Sequence, residues 1–230
     1  MTDSVLRPAV FADTPGLVAG FTTRAFASAA EGIDAGRRRL AEETGLAVAS
    51  VGQVHGAGVA VVREPGHTAD YDGLVTDEPD LLLSVLAADC ALVLLADAEA
   101  GVVGACHSGW RGTVAGIVGE TMSAMRDLGA DPGRVAAYVG PCISAEAFEV
   151  GEEVAEQFRE SVVVRRPEWP RPHVDLRTEL RRQLEAAGVR PDRTEAAEGC
   201  TVGDADRFYS YRVEGKGAGR MFGFIGRRSA

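Results

Sequence analysis

The chain has 230 residues, 46% of them hydrophobic, a formal net charge of −10, and one lysine, Lys216, among its 24 basic residues. That length and apolar content suit one large domain with a sizeable core. The lone lysine, in a glycine-rich turn, excludes a Walker-type phosphate loop and a buried Schiff base, and the acidic balance argues against a nucleic-acid partner, which needs a basic face.

The opening MTDSVLRPAV lacks the charged and apolar regions of a signal peptide, and no stretch approaches a membrane span, so a cytoplasmic protein without a membrane partner is expected. The segment LVAGFTTRAF then reads as a strand with small residues. Ile33 to Thr44 has helical spacing and a stop at Gly45. SVGQVHGAGVAVVRE reads as a strand, a glycine-rich turn carrying His55, and a second strand. EPGHTADYDG is a polar loop, in which His67 is expected to be solvated.

Three apolar runs follow in quick order, DLLLSVLAADC, ALVLLADAEAG and VVGACHSG. Near-continuous apolar strands are buried on both faces, so helices or a second sheet must cover them. Helical period runs from Thr113, a candidate N-cap, to Leu128. RVAAYVGPCIS is read as a strand ending in a turn, VGEEVAEQFRES as a short amphipathic helix, and VDLRTELRRQLEAAG as a longer one. Between those helices RRPEWPRPH reads as an exposed loop holding a solvated His173. RFYSYRVEGKGAGRMFGFIG alternates around a glycine-rich turn, the pattern of a hairpin. With no repeat or linker, the expectation is a single α/β domain over residues 1–230.

Four cysteines, none in a CxxC pair, read as thiols in that compartment rather than as disulfides or a zinc ribbon. Three expected strand ends carry metal-ligand side chains: His55 in QVHG, Cys90 in AADC and His107 in CHSGWRG. Two imidazoles and a thiolate suit zinc with its fourth position open to water. Each residue also has a structural reading: His55 bonded within its turn, Cys90 as a small core residue. Cys106 would point away from His107 in an extended segment and belongs to the core, whereas Cys142 is open to either reading. Arg111 lies just before the expected helix start, where backbone N–H groups favour an anion. A phosphate or carboxylate pocket there competes with a strand-to-helix corner packed by Trp110 and Arg111. Glu149 stands at a helix entry, where a carboxylate suits the dipole and an acid–base role is a second option.

In order along the chain, QVHG (53–56), DGLVT (72–76), AADC (87–90), HSGWRG (107–112), GPCIS (140–144), FEVG (148–151), GCT (199–201) and FYSYR (208–212) resemble the YfiH or laccase-domain family, once catalogued as multicopper polyphenol oxidases. The resemblance spans Gly20 to Ile225. It implies a two-sheet sandwich flanked by helices in αββα layers, and a zinc held by His55, Cys90 and His107, which would also be the catalytic centre. A conventional laccase would need about ten copper-ligating histidines, and this chain has four. Copper at a single three-ligand site would give at most slow oxidation.

The resemblance further implies purine nucleoside phosphorylase activity on adenosine, inosine, guanosine and methylthioadenosine, with hydrolytic deamination of adenosine; the partners are then a nucleoside and phosphate. Arg111 and Arg24 of FTTR are the phosphate candidates it suggests, and Glu149, through its place in FEVG, a further substrate contact. Two other readings accompany it. One is a cysteine-type hydrolase or peptidoglycan-precursor editing protein using Cys90 and His107 without metal; the other is an accessory protein with a purely structural zinc. The chain departs from the family in a shortened TTRAFASAAEGIDAGRRRL segment, where Gly36 replaces the usual asparagine before Arg37, and in Ala91 and Ser108, which replace a common proline and alanine.

Overall fold

The structure, a computed structural model, describes residues 4–229, so Met1 to Asp3 and Ala230 of the expected domain lie outside the described residues. The first half holds β1 (Val5–Leu6), β2 (Leu17–Thr22), helix α1 (Gly32–Thr44), β3 (Ala47–Gly52), β4 (Val59–Val61), β5 (Gly66–Ala69), β6 (Gly73–Thr76), β7 (Leu81–Ala87), β8 (Ala91–Asp97) and β9 (Val102–Ser108). Helices α2 (Trp110–Val114) and α3 (Ile117–Asp127), β10 (Ala136–Val139), α4 (Glu152–Ala155), β11 (Val163–Val164) and β12 (His173–Val174) follow. Helix α5 (Leu176–Ala186), β13 (Thr194–Ala196), α6 (Tyr211–Glu214) and β14 (Met221–Arg227) complete the chain.

Two mixed six-stranded sheets form, in the orders β1-β2-β14-β7-β3-β5 and β13-β10-β8-β9-β6-β4, and β11 pairs with β12 in a small third sheet. The apolar runs explain why the sheets stack. In β8, Leu92 and Leu94 point into the cluster shared with Leu83, Val85 and Ile225 of the first sheet, while Val93 and Leu95 point into the cluster formed with α3 and α5. A strand buried on both faces has no polar side to alternate with. On the far side of the first sheet, Leu82, Phe222 and Phe224 pack with Leu40 of α1. The layers are therefore α1, sheet, sheet, α3 with α5, the single-domain α/β sandwich expected from the sequence.

Several local expectations are corrected. The helix expected from Thr113 to Leu128 is two helices: α2 starts at Trp110 with Gly109 as N-cap, and Gly116, at φ +80°, breaks the chain before α3. Thr113 does not cap; its hydroxyl donates back to the Gly109 carbonyl at 2.9 Å. Nor does the C-terminal segment form a hairpin. Ser210 caps α6 by accepting from Val213 N–H, Glu214 accepts from Ser210 N–H, and β14 pairs instead with β2 and β7. A local cap thus overrides the strand-like alternation of FYSYR. GHTA, read as loop, is the edge strand β5 beside β3. His173 is buried rather than solvated: its Nδ1 lies 2.7 Å from the Ala145 carbonyl and its ring stacks on Trp169 at 3.8 Å.

The strands flanking QVHG also belong to different sheets, β3 to the first and β4 to the second. The same is true of β7 and β8 on either side of Asp89 and Cys90. The site is therefore built where the chain twice crosses from one sheet to the other. Truncating Leu94, fully buried between the sheets, to alanine should lower unfolding stability by about 2–5 kcal/mol, as core cavities do. Denaturant titration checks this, and a loss below about 1 kcal/mol would mean the sheets collapse around the cavity.

Candidate metal centre

The two crossovers and the end of β9 bring His55, Cys90 and His107 together, with one ligand atom from each lying within 4.8 Å of the others. The His55 and His107 rings meet edge to face at 4.8 Å between centroids. His107 is buried, Cys90 half-buried and His55 exposed, so the cluster opens to one side.

Asp72 organises this cluster. Its fully buried carboxylate accepts from three successive backbone N–H groups, Val54 at 3.2 Å, His55 at 3.0 Å and Gly56 at 2.7 Å. The same carboxylate lies 2.8 Å from His107 Nδ1, and the Asp72 carbonyl accepts from His107 N–H at 2.7 Å. His55 occupies the left-handed region at φ +62°, costly for a non-glycine residue, and the three N–H bonds around it hold the turn there. Gln53 fixes the turn's other end: its amide donates to the Leu86 carbonyl and accepts from Leu86 N–H, both at 2.8 Å. Gly109 is needed for close approach, since a Cβ there would stand 2.8 Å from Cys90 Sγ and 3.2 Å from the His55 ring.

The electrostatics follow from this geometry. Burial pushes the Cys90 thiol up, but hydrogen bonds from His107 and His55 and the nearby positive charge outweigh it and bring the thiol down to about 6. Burial pushes His107 down, but the Asp72 and Cys90 contacts raise it to about 9. Burial alone would raise Asp72, yet the His107 and Gly56 bonds keep it below its usual value. Cys106 behaves as a core thiol, pushed up to about 12 by burial.

The donor set fits a tetrahedral metal. A tetrahedral ion with bonds of about 2.0–2.3 Å needs ligand atoms about 3.5 Å apart, a small closure from the observed spacing. With Nδ1 committed to Asp72, His107 has Nε2 left to offer, the arrangement in which a carboxylate orients a metal-binding histidine. Among the described residues no other group of three such side chains lies close enough to hold a metal. The remaining two histidines stand outside the cluster, so the copper sites of a laccase have no ligands here.

The cluster sits in a cavity of about 840 Å³ whose lining includes Arg37, Arg212 and Arg220 as well as Trp110, Phe148 and Tyr211. Arg24, Arg111 and Glu149 are not part of that lining. Arg24 bonds the Ala205 carbonyl and pairs with Glu214 at 3.3 Å, Arg111 lies over the Trp110 ring at 4.2 Å, and the Glu149 carbonyl accepts from Arg212 at 3.1 Å. Sequence reasoning gave no role to Asp72, Gln53, Arg37, Arg212 or Arg220. The signal at Asp72 was an acid placed directly before the buried run GLVT, which a fold tolerates only with a paired carboxylate.

Residues 22–228 match the family described as multi-copper polyphenol oxidoreductase laccase. The chain belongs to this family. A Deinococcus radiodurans relative named purine nucleoside phosphorylase is 44% identical over 198 residues, covering 83% of this chain and 75% of its own. A relative from an unknown prokaryotic organism, named adenosine deaminase RL5, is 35% identical over 192 residues, 76% of this chain and 73% of its own. YlmD from Geobacillus stearothermophilus superposes with a TM-score of 0.88 at 32% identity, covering 100% of this chain and 98% of that structure. No described helix of this family member is long and apolar enough to cross a membrane.

Two outcomes test the geometry. Asp72→Asn places an amide N–H₂ among backbone donors and should weaken metal binding by about 10–100-fold in chelator competition; unchanged affinity would reduce Asp72 to a fold residue. In the metal-free protein, the Cys90 thiolate exists above pH about 6 and is lost as pH falls through that value. Alkylation of Cys90, followed by mass spectrometry, should therefore rise through pH about 6 and, in His107→Ala, move back toward the ordinary thiol value of 9.0.

Proposed function

We propose that this chain is a zinc-dependent purine nucleoside phosphorylase that also deaminates adenosine, with a purine nucleoside and inorganic phosphate as its partners. One observation carries the reading: the His55, Cys90 and His107 cluster, three arginines and an aromatic wall share a single cavity. The names of the Deinococcus and RL5 relatives point the same way.

His55, Cys90 and His107 would hold the zinc, which the soft thiolate and two imidazoles favour. When bound there, the metal would supply Lewis acidity and lower the pKa of water, as deamination at C6 of adenine requires. Three protein ligands leave a position open; a purely structural zinc has four. Cys142 is not among the clustered residues.

The chain's own residues account for the rest. Trp110, Phe148 and Tyr211 offer the flat apolar contacts that a purine ring needs. Arg212 is held from both its backbone and its side chain. Its backbone N–H donates to the Asp89 carboxylate at 2.7 Å, while its guanidinium reaches the carbonyls of Ala147 and Glu149 and lies near the Phe148 ring. Such anchoring sets a guanidinium in place before phosphate arrives, so little ordering remains to be done on binding. Arg37 joins it with Nε buried and unpartnered. We assign phosphate to this arginine wall, with Arg111 supporting Trp110 from behind and Glu149 holding Arg212 through its carbonyl. Phosphate placed beside the ribose C1′ displaces the purine, a step governed mainly by positioning and charge.

The cysteine-hydrolase reading keeps one supporting observation, the Cys90 thiol brought down to about 6 beside His107. A metal-free preparation fully active on an amide, and silenced by alkylating Cys90, would replace the zinc mechanism. The decisive assay is base release from adenosine and inosine by metal-assayed protein, with and without phosphate. Phosphate-dependent release of adenine and hypoxanthine is expected, with turnover and zinc content falling together in His107→Ala. No release despite bound zinc would sink the proposal. Arg212→Ala should raise the KM for phosphate about tenfold or more, the size of a lost charge-assisted hydrogen bond.

A further inference from the structure

Phosphorolysis leaves an electron pair on the departing purine, and the cavity must hold a group that can meet it with a proton. The candidates are few. Asp89 has both carboxylate oxygens occupied, one by the Thr201 hydroxyl at 2.6 Å and the other by Arg212 N–H at 2.7 Å. Asp34 is paired with Arg37 at 3.1 Å. His55 and His107 belong to the metal cluster, and His173 lies outside the cavity lining. His67 remains. It lines the same cavity from the edge strand β5, in cross-strand register with Ser50 of β3.

The surroundings of His67 suit proton transfer. Its Nδ1 lies 3.0 Å from the buried Ser50 hydroxyl, which also lies 3.4 Å from the Gly66 carbonyl. A hydroxyl both donates and accepts, so Ser50 satisfies Nδ1 in either state: it accepts from a protonated Nδ1 while donating to Gly66, or donates to a bare one. Nε2 has no hydrogen-bond partner among the described residues and lies close to Gly52, another residue of the cavity lining. Ser50 thereby holds the imidazole in orientation whichever way the hydroxyl points, and an imidazole is the side chain most often used to hand a proton to a leaving group. Its exposure lets it recover a proton from water after each turnover.

We infer that His67 is the general acid of the phosphorylase reaction, protonating the leaving purine at N7 from Nε2. This rests on the phosphorylase reading above. As a phosphate oxygen bonds to C1′, the C1′–N9 bond breaks and its electron pair passes into the purine. The Nε2 proton moves to N7, leaving neutral base, ribose 1-phosphate and a neutral imidazole.

The test compares inosine with 7-methylguanosine, whose base already carries positive charge and departs without needing a proton. His67→Gln should lose about a hundredfold or more of kcat on inosine, the usual worth of a general acid, while kcat on 7-methylguanosine changes less than about threefold. Ser50→Ala, which frees the ring to rotate, should show a smaller loss confined to inosine. Equal losses on both nucleosides in His67→Gln, with zinc content and melting temperature unchanged, would make His67 a binding residue and overturn the inference; so would no loss on either. Wild-type protein inactive on both nucleosides with phosphate present would instead overturn the phosphorylase reading, and this inference with it.

Discussion

One buried carboxylate organises the site. Asp72 sits among apolar residues at the start of β6, where an unpaired charge would be costly. Its two oxygens are matched by three backbone N–H groups from one crossover and by the His107 ring from β9. Through the first it holds His55 in a left-handed conformation; through the second it directs His107 Nε2 toward Cys90. Two metal-ligand candidates from distant parts of the chain are thus oriented by one side chain. Removing it would leave a strained turn and an unoriented imidazole together, so stability and metal affinity are coupled at this residue.

The sandwich supplies the rest of the geometry. Because β3 leads to β4, and β7 to β8, by crossing from one sheet to the other, QVHG and AADC lie at the mouth of the gap between sheets. In β8 and β9, Leu92 opposes His107, which places Cys90 beyond the paired region, opposite Gly109. A side chain at Gly109 would displace the Cys90 sulfur. The small residues of HSGWRG therefore serve clearance as much as turning, and the motif gains its meaning from a contact with AADC that linear spacing conceals. The family's descriptive name fits poorly with this arrangement: four histidines are divided among one cluster, one cavity edge and one buried stack.

The sequence made some of this legible and hid the rest for physical reasons. Apolar runs bounded by turn residues announced the buried strands, and ligand-type side chains at their ends announced the cluster, because only an interior strand can be so uniformly apolar. Crossovers were hidden, since a strand, a glycine turn and a strand read alike whether the second strand joins the same sheet or another. Gly116 was in plain view, but inside a helical pattern a glycine at +80° and one at ordinary helical angles look identical. The Ser210–Glu214 cap was missed because FYSYR alternates like a strand, and a reciprocal cap is settled by a few local bonds. Arg24 and Arg111 were singled out by motif and neighbourhood, but which arginines line the cavity is settled by tertiary placement. Arg37 comes from α1, Arg212 from α6 and Arg220 from the entry to β14.

That assembly of the arginine wall separates what is fixed in the site from what can vary. The cluster is locked by Asp72, Gln53 and the pairing of β8 with β9, all internal to the sandwich. Arg37 and Ile33 of the cavity lining sit on the first turns of α1, inside the segment TTRAFASAAEGIDAGRRRL. The helix itself is anchored to the first sheet through Leu40, one turn further along. Changes in the loop before α1 therefore alter the approach to the cavity without disturbing the clustered side chains beneath it. The α1 part of the lining and the clustered side chains thus rest on different layers of the fold, so one can vary while the other is held.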